Sequence, residues 1–164
     1  MRIDFFKEDC HGSCFNDKEV GVCDDQESTK AYINKENKEK WIATIKNLKS
    51  KIIDFYAIDN CIEIYRENND KDNKCDAMLI YENGIIFIEL KDKRADWIPD
   101  AIGQLENTIK YFIENHGIEQ FNIKKAFACN KRKPNFQTIN MQIKQSFYQK
   151  WKVRLHIEAT IKIQ

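Results

Sequence analysis

The chain has 164 residues, 42% of them apolar and 12% aromatic, with 27 basic against 26 acidic residues and a net charge of +1. These values exclude a disordered chain and a protein that coats nucleic acid by bulk charge, and they fit one domain, residues 1–164, with a well-buried core. No apolar stretch approaches the roughly 20 residues that span a bilayer, and the start Met1-Arg2-Ile3-Asp4-Phe5-Phe6 lacks the apolar core of a signal peptide, so a cytoplasmic protein without membrane contact is expected.

In chain order, Met1 to Phe6 reads as a short strand, and Cys10 to Asp25 as irregular. Residues 1–36 are expected to form an N-terminal extension to a core over 37–130. Trp41, Ile45, Leu48 and Ile52 recur at helical spacing, which predicts a helix from Asn37 to about Asp54. Cys61 to Tyr65 reads as a strand, followed by a charged turn from Arg66 to Lys74. Two apolar, β-branched runs then flank Asn83-Gly84, the strongest short-range sign of a hairpin. A second helix is predicted from Trp97 to about Asn115, with Ile98, Ile102, Leu105, Ile109 and Phe112 on one face. Pro99 fits its first turn and Gly117 its stop. Ile123 to Cys129 reads as a strand and Gln137 to Lys150 as a helix. Val153 to Ile163 alternates as one final strand.

The hairpin carries the chemistry. With a two-residue Asn83-Gly84 loop, Glu82 pairs with Ile85, Met78 lies opposite Glu89, and Asp76 lies opposite Lys91. Glu89 is then the diagonal neighbour of Asp76, about 7–8 Å away. Two carboxylates and one ammonium converge at one end of one face, and the Leu90 carbonyl is within reach if the strand twists. Mg²⁺ or Mn²⁺ suits such a set, because hard cations take one or two carboxylates plus waters and phosphate oxygens. A nearby lysine orients or deprotonates the attacking water. The competing reading is a cross-strand Asp–Lys ion pair on a solvated hairpin end, which is common and weakly stabilising. Against it, Glu89 and Lys91 interrupt a run that otherwise reads as buried on both faces, and a buried charge is costly unless paired or metal-bound.

Asp76 followed by Glu89-Leu90-Lys91 at the end of a hairpin resembles the motif of the PD-(D/E)XK nuclease superfamily, over roughly Asn37 to Asn130. Cys75 stands where the motif usually has proline. The resemblance implies an α/β fold, a central mixed β-sheet flanked by helices with the restriction-endonuclease-like core order α-β-β-β-α-β. It implies a Mg²⁺-dependent phosphodiesterase cleaving DNA rather than RNA, most naturally an endonuclease, with a homodimer by analogy. Asp76, Glu89 and the Leu90 carbonyl would hold the metal, Lys91 would position the water, and Gln104 on the second helix would support it. Glu39, or Glu36, on the first helix would supply a further acid; both also suit a helix N-terminus. Thr108 stands where the exonuclease branch would have tyrosine, with Tyr111 on the same face. The alternative is a catalytically silent relative that binds nucleic acid or assembles with other proteins.

Three further groups bear on function. Lys91-Asp92-Lys93-Arg94 and Lys131-Arg132-Lys133 are local basic clusters that suit phosphate or, equally, a solvated loop. Cys10, His11, Cys14 and Cys23 form a candidate zinc set whose spacing matches no standard ribbon or finger. Cys61, Cys75 and Cys129 fall in apolar strands and read as small buried hydrophobes, with no bridge required in a reducing cytoplasm. His116 and His156 suggest no nucleophilic constellation by spacing.

Overall fold

The run from Gly84 to Lys91 is buried at every position but the last, and the fold is arranged around it. The computed structural model describes residues 2–133 and 141–164. In chain order the strands are β1 (His11–Phe15), β2 (Glu19–Cys23), β3 (Tyr32–Asn34), β4 (Ala43–Lys46), β5 (Ile53–Ala57), β6 (Ala77–Tyr81) and β7 (Gly84–Lys91). Helix α1 (Ile98–His116), β8 (Ile123–Asn130), α2 (Met141–Trp151), β9 (Arg154–Ile157) and β10 (Thr160–Lys162) follow. Six strands form a mixed sheet in the order β1-β5-β6-β7-β8-β9, and four form a second sheet in the order β10-β4-β2-β3. In the larger sheet β1, β5, β6 and β7 pair antiparallel, while β7, β8 and β9 run parallel.

Each face of the larger sheet carries its own apolar cluster. On one, Met78, Ile85 and Phe87 pack against Leu105, Ile109 and Phe112 of α1 and Phe147 of α2. On the other, Leu79, Ile86 and Ile88 meet Val20, Val22, Ile45 and Ile161 of the smaller sheet. The result is a mixed α/β arrangement of helices, large sheet and small sheet. Burial on both sides explains why β7 is continuously apolar rather than alternating.

The expected helix over residues 37–54 does not form. A short 3₁₀ turn, Lys38–Lys40, leads into β4, and β5 follows. Ala43 and Ile45 are buried between half-buried neighbours, as are Ile53, Phe55 and Ala57, which is the two-residue period of a strand. Leu48 and Ile52, needed for the helical stripe, are 74% and 66% exposed. Buried Asn47 holds the connection: its amide nitrogen donates to the Asp17 and Lys51 carbonyls, and its oxygen accepts from the Lys51 amide. Strands therefore replace the first helix of the α-β-β-β-α-β order. Trp41 belongs to the same rearrangement. Its indole lies against Gly21 of β2, where a Cβ would come within 2.0 Å of the ring.

Other segments differ more locally. Residues 2–6 form no strand; Phe5 is buried beside Phe112, and the Ile3 and Phe5 amides donate to Asn115 and His116 at the end of α1. The stretch expected to be irregular supplies β1 and β2, and with β3 it places residues 11–34 in both sheets. Cys61 to Tyr65 is not a strand; only Tyr65 forms a bridge, with Lys71. The final alternating stretch divides, β9 joining β8 and β10 joining β4. Helix α1 forms within a residue of expectation, with Pro99 in its first turn and Gly117 as its cap at φ 73°. For α2, residues 137–140 of the expected helix lie outside the described residues.

Candidate active site

The hairpin turns one position earlier than Asn83-Gly84. Tyr81 pairs with Gly84, which leaves Glu82-Asn83 as the loop, with Glu82 at φ 43°. Gly84 lies within β7 under the Tyr81 ring, where a Cβ would approach to 2.6 Å. Close approach, not turn geometry, therefore accounts for this glycine. The register moves by two residues: Met78 faces Phe87, not Glu89, and Ala77 faces Ile88. One step further brings Asp76 toward Glu89 rather than Lys91. A slide of two residues leaves every side chain on its original face, whereas a slide of one would have reversed them.

Asp76 and Glu89 are 6% and 2% exposed. The Leu90 amide donates to Asp76 Oδ2 at 2.7 Å, and the Glu89 charge acts on the Asp76 carboxyl. Lys91 Nζ lies 3.2 Å from Glu89 Oε2 and donates to Gln104 Oε1 at 2.6 Å. Gln104 in turn donates to the Lys74 carbonyl at 3.3 Å. The structure thus brings Asp76, Glu89, Lys91 and Gln104 into one connected group. Amide and carbonyl of one strand residue leave the same strand edge, so the Leu90 carbonyl is directed to the Asp76 side of β7.

Burial dominates the electrostatics. It holds the Asp76 carboxyl well above the usual range, reinforced by the Glu89 charge. Burial likewise raises Glu89 to about 7, partly offset by Lys91. Glu89 Oε1 is buried without a hydrogen-bond partner. Two buried acids with one orphaned oxygen, beside an ammonium, form a group in need of a cation.

Several supporting residues give no signal in the sequence. Thr108 Oγ1 accepts from the Cys75 amide at 2.7 Å and donates to the Gln104 carbonyl at 2.9 Å, tying α1 to the residue before Asp76. A proline in place of Cys75 has no amide proton to make that bond. Tyr111 donates to Asp72 at 2.6 Å, away from the carboxylate pair. Asp24, just after β2, adds to the rise of Asp76, and Asp59 to that of Glu89. These long-range neighbours come from folding of the smaller sheet and of the loop after β5. Spacing along the chain contains no trace of them.

Two expected groups do not assemble. Glu39 and Glu36 are exposed, Glu39 in the 3₁₀ turn, where its backbone carbonyl accepts from Lys131 Nζ. With no helix there, the reason for aiming Glu39 at the metal is gone. The zinc set is dispersed. Cys10 is bridged to Cys61, which also corrects the expectation of unbridged cysteines. His11 Nε2 lies 2.8 Å from Asp54, Cys14 is exposed on β1, and Cys23 is buried in β2. β1 and β2 belong to different sheets, which separates their side chains. Among the described residues no three His, Cys, Asp or Glu side chains converge as a metal-binding group.

Comparison with family models, with curated proteins and with solved structures gives no match for this chain. No described helix is long and apolar enough to cross a membrane.

Proposed function

We propose that the chain is a divalent-metal-dependent phosphodiesterase that cleaves nucleic acid, DNA in preference to RNA, most naturally as an endonuclease. The observation that carries the reading is the buried Asp76–Glu89 pair with its orphaned Glu89 oxygen, next to Lys91. The pair lies at the carboxyl end of β7, where β7 and β8 run parallel; ligands of open α/β sheets bind outside such strand ends. The donor set suits Mg²⁺ or Mn²⁺: two carboxylates, with the Leu90 carbonyl on the same edge, leave positions for water and phosphate oxygens. When bound, such an ion polarises a phosphoryl oxygen and acidifies a coordinated water.

The protein's own groups do the rest. Asp76 and Glu89 would hold the ion as carboxylates, each losing the proton that burial favours in the metal-free protein. Glu89 and Gln104 hold the Lys91 ammonium from two sides, so its remaining proton is aimed rather than free to rotate. From that position Lys91 orients the attacking water and offsets charge building on the phosphate. Gln104, anchored on the Lys74 carbonyl, fixes the lysine rather than touching the reacting atoms.

A core that keeps the β5-β6-β7-α1-β8 part of the restriction-endonuclease-like order, without its first helix, and a homodimer that supplies one site per strand belong to the same proposal. Against a reducing compartment stands the Cys10–Cys61 bridge, since such bridges persist chiefly in oxidising surroundings. The test is incubation of purified protein with plasmid DNA and Mg²⁺ or Mn²⁺. Cleavage that chelation stops supports the reading. No cleavage of plasmid, linear duplex or single strand with either ion counts against it.

A further inference from the structure

The two basic clusters, far apart in sequence, form one surface, and buried Asn130 is the reason. Lys91 and Asn130 are register partners at the ends of parallel β7 and β8. The Asn130 side chain is fully buried, yet it serves both departing loops. Its oxygen accepts from the Lys93 and Arg132 amides, each at 3.1 Å, and its nitrogen donates to the Lys93 carbonyl at 2.7 Å. The Lys131 amide adds a bond to the Lys91 carbonyl at 2.9 Å, and Arg132 Nε pairs with Asp92 at 2.8 Å. Lys93, Arg94, Lys131, Arg132 and Lys133 are all exposed. Residues 91–96 and 130–133 together carry six cations and two carboxylates, Asp92 and Asp96.

A buried asparagine that makes three hydrogen bonds is a costly way to shape a solvated loop. Solvated loops need no shared clamp, and like charges left free would move apart. Here the clamp ties the backbones of both basic loops together immediately beyond Lys91. We infer that this double loop is a binding site for the phosphodiester backbone of nucleic acid, with Lys93, Arg94 and Lys133 as its principal contacts and Asn130 as the positioning residue. The choice of ligand rests on the phosphodiesterase reading. The site itself needs no metal, because it contains neither carboxylate of the pair. Backbone binding here leads one strand from the loops across Lys91 to the Asp76–Glu89 pair.

The test is fluorescence anisotropy of a short labelled duplex DNA with the protein in excess chelator, between about 50 and 200 mM salt. Single-stranded DNA and duplex RNA are parallel arms that separate the sources of the same phosphate chemistry. The Lys93→Glu/Lys133→Glu protein is expected to bind whichever nucleic acid the parent prefers about tenfold or more weakly, with a salt slope smaller by about two. Lys49→Glu/Lys162→Glu, at exposed positions toward the smaller sheet, changes the net charge equally and is expected to bind like the parent. Asn130→Ala removes no charge and is expected to weaken binding several-fold; if it does not fold, the charge-reversal pair decides alone. The inference is overturned if the Lys93/Lys133 variant binds as the parent does. It is also overturned if the control pair loses as much, or if poly-glutamate competes with DNA charge for charge. A flat metal titration would defeat the phosphodiesterase reading and leave this binding result standing, so the two failures are distinguishable.

Discussion

Glu19 and Glu89 are both strand carboxylates held by lysine, and they behave in opposite ways. Glu19, in the smaller sheet, is paired with Lys46 and, at 3.1 Å, with Lys38. Those two hydrogen bonds hold its carboxyl below the usual range. Glu89, in the middle layer, has Lys91 at 3.2 Å and still sits at about 7, because burial outweighs the lysine. Water screens the first pair and solvates what the lysines do not. The second pair has no water to fall back on, and the nearby Asp59 charge adds to the rise of Glu89. Carboxylate–lysine pairing is therefore structural trim in one layer and a source of stored electrostatic tension in the other. Binding a cation is the natural release of that tension.

The largest expected effect comes from removing each lysine. Lys91→Ala is expected to lower cleavage by about 10²–10⁴-fold while the protein remains folded. Lys46→Ala should leave cleavage at the parent rate. Steady-state cleavage and circular dichroism of both variants check this, and equal rates for Lys91→Ala and parent would erase the distinction between the two layers.

The acids give the next effect, in stability rather than rate. The folded-state value of Glu89 is raised from 4.5 to about 7, so the metal-free native state binds a proton that the unfolded chain has lost. Stability contributed by that proton is present below about 4.5 and lost as pH rises through about 7. Glu89→Gln keeps the shape without the charge. It is expected to melt near the parent at pH 5 and above it at pH 8, by a margin of order 2–3 kcal/mol, or about 5 °C or more. Glu19→Gln is expected to show no such gain, since its folded value is lowered and its pairs are solvated. Melting curves in chelator at the two pH values read both variants.

How far these features were legible before folding depends on the length scale of each cause. The hairpin and α1 rest on local signals, Asn83-Gly84, Pro99 and Gly117, and they form. The hairpin register lies two residues from the one Asn83-Gly84 predicts, because Gly84 serves a contact with Tyr81 rather than the turn, yet the slide spares the faces of Asp76, Glu89 and Lys91. Residues 37–54 carry two periods at once. The helical one lost because Ile45, Ile53 and Phe55 find partners in strands from distant parts of the chain, and the buried Asn47 turn joins them. Asn130, Thr108 and Asp24 act across the fold, at separations that no local pattern records.

A smaller effect extends the comparison to a base. His156 on β9 stacks on Phe127 at 4.6 Å, and burial lowers its imidazole to about 4. The native state holds it neutral while the unfolded chain protonates near 6.5, so stability is present above about 6.5 and is lost as pH falls toward 4. His156→Phe keeps the stack and is expected to flatten the loss between pH 6.5 and 4. If that variant loses stability as steeply as the parent, His156 is not a source of the acid sensitivity.

The central claim, that the middle-layer pair is a cation site, is tested most directly by calorimetric titration with Mn²⁺ in the absence of nucleic acid. The parent and Glu19→Gln are expected to give the same weak, saturable binding heat. Asp76→Asn and Glu89→Gln are each expected to weaken it strongly, because each removes one ligand charge. A flat titration for the parent, or one unchanged in both Asp76→Asn and Glu89→Gln, would contradict the account.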